Sequence, residues 1–121
     1  MEKIKNNQLA SLKISRDVIA TIAKVAAYEI DGVASLSERQ RNIRGFFSKG
    51  LTRPIEITLS DDFAEIDICL DLEYGARIPD VCAAVQSNIK DNVQTMTGII
   101  VSKVNVTIAG IAFSKTGEQE Q

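Results

Sequence analysis

Between Phe63 and Tyr74 the chain alternates without a break. Ala64, Ile66, Ile68, Leu70 and Leu72 stand at one parity, and Glu65, Asp67, Cys69, Asp71 and Glu73 at the other. Successive side chains of a strand point to opposite faces, so this pattern predicts a strand with one apolar face and one acidic face. Such a strand cannot be stable alone. Its apolar face needs a covering layer and its backbone needs neighbours. Just upstream, Ile55, Ile57 and Leu59 alternate with Glu56, Thr58 and Ser60, and Asp61-Asp62 is a turn signal between the two runs. An antiparallel hairpin is predicted.

Two helical patterns supply the cover. Ser15 is an expected N-cap, and Asp17 sits in the first turn, where the helix dipole favours an anion. Apolar residues then recur at Val18, Ile19, Ile22, Val25, Ala26 and Ile30, with Gly32 as the stop. The second pattern opens at Pro79, runs through Ile78, Cys82, Val85, Ile89, Val93 and Met96, and stops at Gly98. Residues 8–14 read as a first strand and residues 100–109 as a last one. The last strand buries Val104, Val106 and Ile108, and a bulge is expected at Gly110, where the parity changes. The predicted order is β-α-β-β-α-β: an α+β split βαβ fold, with a four-stranded sheet and both helices on one face. At 121 residues this is one domain over 1–113. Residues 34–54 form a basic insert, irregular or with one short helix, and residues 114–121 a flexible polar tail.

Absences narrow the chemistry. The chain has no histidine, so His-based triads and His-ligated metals are excluded. Two cysteines, Cys69 and Cys82, are too few for a Cys-based zinc site, and both read as structural. No apolar run is long enough to span a bilayer, and the N-terminus lacks a signal-peptide core. A cytoplasmic protein with reduced thiols is expected.

Charge is spread unevenly. Residues 34–54 carry Arg39, Arg41, Arg44, Lys49 and Arg53 against Glu38, a net +4, while residues 55–121 carry a net −7. A basic insert on an acidic domain is a candidate interaction device; the plainer reading is a solvated loop. Phe46 and Phe47 among these cations suit a membrane interface, a nucleic-acid strand or a protein partner, or simply dock the insert on the core. Glu65, Asp67, Asp71 and Glu73 form one row. It is a solvated face, a docking surface for a basic partner or, least of all, a cation or acid–base site, since a single strand's side chains diverge. Gly45 to Thr52 resembles a phosphate loop only in outline, because Leu51 stands where that loop needs lysine. No catalytic, cofactor or metal residue is assigned.

Three stretches resemble one family. Ile14 to Ser35 (ISRDVIATIAKVAAYEIDGVAS), Glu73 to Pro79 (EYGARIP) and Met96 to Ile111 (MTGIIVSKVNVTIAGI) are similar to the signatures of the alkaline shock (Gls-type general stress) proteins of the bacterial envelope stress response. The chain departs from many members in its Arg-rich 39–44, where they carry Gly and Lys. The resemblance implies a cytoplasmic protein without catalytic activity, linked to cell-envelope homeostasis. It implies self-assembly and a place at the membrane through a separate anchor, or an association with lipid metabolism. On this basis a non-enzymatic scaffold or adaptor is expected, with itself and an unidentified protein or membrane anchor as partners. The basic 39–53 segment of one copy would meet the acidic strand face of the next. An exposed sheet edge is a second route to association. The alternative is a nucleic-acid-binding module using residues 39–53, against which the −7 elsewhere counts.

Overall fold

A computed structural model of the chain describes residues 12–37, 54–61 and 63–113. Helix α1 spans Arg16–Tyr28, strand β1 Val33–Leu36, β2 Ile55–Ser60, β3 Phe63–Glu73, helix α2 Ile78–Thr97 and β4 Ile100–Ala112. The fold class is the expected one: α+β, with two helices on one face of a four-stranded sheet. One strand differs in position. Leu12 to Ile14 are not in a strand, residues 8–11 lie outside the described residues, and the remaining strand is β1. Val33–Leu36 is too short for alternation to announce it. It pairs antiparallel with Leu72 to Leu70, a contact set by tertiary structure.

β3 is the axis of the sheet. β2 pairs antiparallel with its first half, from Ile55↔Ile68 to Ser60↔Phe63, and this is the predicted hairpin. β1 pairs with its second half on the same side. β4 runs parallel along the other side. The two pieces of the first edge meet at Cys69. The Ser37 amide donates to the Cys69 carbonyl at 2.9 Å, and the Cys69 amide donates to the Pro54 carbonyl at 2.9 Å. The parity change near Gly110 is a bulge: Ile108 faces Leu70, Gly110 faces Asp71, and Ala109 is the extra residue.

The core lies between the helices and β3. Ala64, Ile66, Leu70 and Leu72 are wholly buried, with Ile68 almost so. α1 contributes Ile19, Ala23, Ala26 and Ala27, whose small side chains let the helix lie close. α2 contributes Val81, Val85, Ile89 and Val93 at a strict spacing of four. Of the expected stripes, Val18, Val25, Ile78 and Met96 are exposed, because each buried spine is narrower than the apolar pattern in the sequence. Ser15 caps α1 as expected, its hydroxyl accepting from the Val18 amide at 3.3 Å. Asn88 fastens the helices together, its Nδ2 donating to the Ala26 carbonyl and to Glu29 Oε1, both at 2.9 Å.

Candidate interaction surface

The face of the sheet opposite the helices carries no layer among the described residues. Its side chains follow from register. Burying Ile55, Ile57 and Leu59 turns Glu56 and Thr58 outward, and burying the even residues of β3 turns out Glu65, Asp67, Cys69, Asp71 and Glu73. β4 adds Lys103 beside Glu65, Asn105 beside Asp67 and Thr107 beside Cys69. The predicted acidic row is therefore real, and Glu56 extends it sideways to Asp67. Among the described residues, Lys103 is the one cation that register places among these acids.

The row is organised by hydrogen bonds. Asn105 Nδ2 donates to Glu65 Oε2 at 3.0 Å and to Asp67 Oδ1 at 2.9 Å. One amide thus holds two like charges side by side. Asp71 Oδ1 is buried and accepts no hydrogen bond from a described residue. Cys69 sits half-buried between Asp67 and Asp71. Its thiol is pushed above the ordinary value, first by burial, then by the Asp71 and Asp67 charges, which oppose a nearby thiolate. Burial alone raises Cys82.

Alkylation of Cys69 at pH 8 should therefore be slower than that of a thiol in an unstructured peptide, with a rate that keeps rising above the ordinary thiol pKa. Asp71→Asn should quicken it. Equal rates in the two forms, read by mass spectrometry of the labelled peptide, would remove the charge contribution. Stability depends on pH through the same thiol. Because the folded value lies above the unfolded one, the unfolded chain loses its proton first, and stability declines as pH climbs between the two values.

Arg39, Arg41, Arg44, Phe46, Phe47, Lys49 and Arg53 lie outside the described residues. The described residues on either side of that segment, Ser37 and Pro54, each share a backbone hydrogen bond with Cys69, whose side chain belongs to the open face. Glu56, Asn105 and Thr107 join the face without having been expected there. The signal for Glu56 is present in the alternation of 55–60. The β4 residues join only through a parallel pairing between segments distant in sequence.

A family model described by its cell envelope-related function, that of the alkaline shock proteins, matches residues 4–113. The chain belongs to the alkaline shock protein family. Among similar members, protein YqhY of Bacillus subtilis (strain 168) is 31% identical over 125 residues, covering 96% of this chain and 87% of its own length. Protein Spy1535 of Streptococcus pyogenes serotype M6 is 28% identical over 109 residues, covering 89% of this chain and 84% of its own length. Protein YloU of B. subtilis is 29% identical over 104 residues, covering 83% of this chain and 87% of its own length. Among solved structures, two variants of the MamM CTD align over most of this alkaline shock family chain. One, a triple variant, has a TM-score of 0.48 at 11% identity, covering 78% of this chain and 93% of its own. The other, in a manganese form, has 0.49 at 8% identity, covering 79% and 99%. No helix among the described residues of the family member is long and apolar enough to cross a membrane.

Proposed function

We propose that this alkaline shock family protein is a non-enzymatic scaffold or adaptor in cell-envelope homeostasis, acting in the cytoplasm and held at the membrane by a partner. Its partners are further copies of itself and a protein of the membrane-anchor or lipid-metabolism kind. The observation that carries this reading is the sheet face that no layer of the described residues covers, where Glu56, Glu65, Asp67, Asp71 and Glu73 line up and Lys103 stands beside Glu65. Such a face attracts a basic segment. The same chain has one: Arg39, Arg41, Arg44, Lys49 and Arg53. If the segment of one copy meets the face of the next, the two surfaces differ, so the contact is heterologous and grows into rings or open filaments.

Exposed charge pairs are screened by salt, with a Debye length of about 10 Å at 0.1 M and about 3 Å at 1 M. Sedimentation velocity at several concentrations should therefore show reversible growth to large species at low salt and their collapse at high salt. Reversing Arg39, Arg41 and Arg44 to glutamate should abolish the low-salt species. Assembly unchanged by that reversal would overturn the electrostatic mechanism.

A further inference from the structure

α2 lies along β4, and its side chains close the first half of that strand's outer edge. Gln94 Oε1 accepts from the Val101 amide at 2.9 Å, and Gln86 Nε2 donates to the Val104 carbonyl at 3.0 Å. The next positions on that side of the helix, Ala83 and Pro79, carry no polar group. The Val104 carbonyl points away from β3. The two-residue period of a strand therefore turns the amides and carbonyls of Val106 and Ile108 outward as well. Among the described residues no strand lies along this side of β4. From Val104 to Phe113 the chain has no ionisable side chain and no proline, two of the devices that guard a natural edge. Lys103 stands at the near end, and the bulge at Ala109 confines regular pairing to the stretch around Thr107.

We infer that this stretch of β4 pairs with the same stretch of a second copy, antiparallel, with the two-fold axis passing Thr107. In that register Val106 and Ile108 exchange both backbone hydrogen bonds with Ile108 and Val106 of the other copy, and none of these competes with Gln86. The two Thr107 side chains meet across a non-hydrogen-bonded pair on the open face, where Thr–Thr contacts are favourable. On the other face Val106 and Ile108, half-buried in one copy, meet their counterparts and extend the apolar layer. A second copy is the occupant that the chemistry selects. The strip offers no charge for a charged peptide to read, identical uncharged strips meet without repulsion, and a two-fold contact is self-complementary. This contact is separate from the charge-mediated one and does not depend on it.

High salt separates the two, because backbone pairing is not screened as surface charges are. At 1 M salt the full chain should sediment as a reversible monomer–dimer system. Val106→Pro removes an amide that β3 does not use, so an edge strand tolerates it. It should raise the dimer dissociation constant about tenfold or more. In a Cys69→Ser background, Thr107→Cys should cross-link under mild oxidation, since opposed residues lie within disulfide reach. Asn105→Cys, well off the axis, should not. A monomer at every concentration in high salt overturns the inference. So does a dimer indifferent to Val106→Pro, or equal cross-linking of the two cysteine variants.

Discussion

Leu70→Ala is expected to lower the unfolding free energy by about 3–4 kcal/mol, within the range measured for fully buried leucines. Leu70 lies in the strand that every other strand touches, is wholly buried, and pairs with both Leu36 and Ile108. Truncation leaves a cavity walled by sheet on two sides, where collapse is hard. Against a typical domain stability of about 5–15 kcal/mol this is a large fraction. Tyr74→Ala, at a side chain 72% exposed, should stay within about 0.5 kcal/mol. Urea unfolding of both variants, with the slope held common, checks the contrast. A Leu70→Ala loss below about 1 kcal/mol would mean that β3 is not the packed axis of the domain.

Gly32→Ala is the second large effect, expected to cost about 2–4 kcal/mol from strain and overpacking together. Gly32 has φ +102°, a conformation L side chains rarely adopt. A Cβ there would stand 3.0 Å from Val81 Cγ2 and 3.3 Å from Ala76 Cβ. Val81 belongs to the buried spine of α2, so it cannot yield without disturbing the core. Gly98 is the internal control. Its φ is +81°, but a Cβ would meet nothing within 4 Å, so Gly98→Ala should cost only the strain, about 1 kcal/mol. Equal losses at the two positions would show that the contact with Val81 contributes nothing.

The two positions also mark how far local reading reaches. Both glycines follow a helical pattern, and both look like stops. Gly98 is one, a left-handed cap whose amide bonds to the Gln94 carbonyl. Gly32 instead sits beyond the end of α1 and serves close packing on α2, which no local pattern records. β3 was legible because alternation over a whole strand has one physical meaning. Val33–Leu36 was not, because a four-residue strand owes its existence to Leu70 and Leu72. The acidic row was legible in composition and parity. Its organisation by Asn105 was not, because that contact needs β4 to lie parallel beside β3.

Ser37 and Pro54 face the same residue, so β1 and β2 are one strand in space and two in the chain. The domain therefore holds a socket whose two lips are fixed by the amide and carbonyl of Cys69. Both lips are held by one residue of β3, so the anchoring bonds do not depend on the length of chain between them, and each doubling of a loop costs only about 0.6 kcal/mol. A lineage can therefore redraw the length of chain between β1 and β2 without redrawing the hydrogen bonds that anchor its two ends.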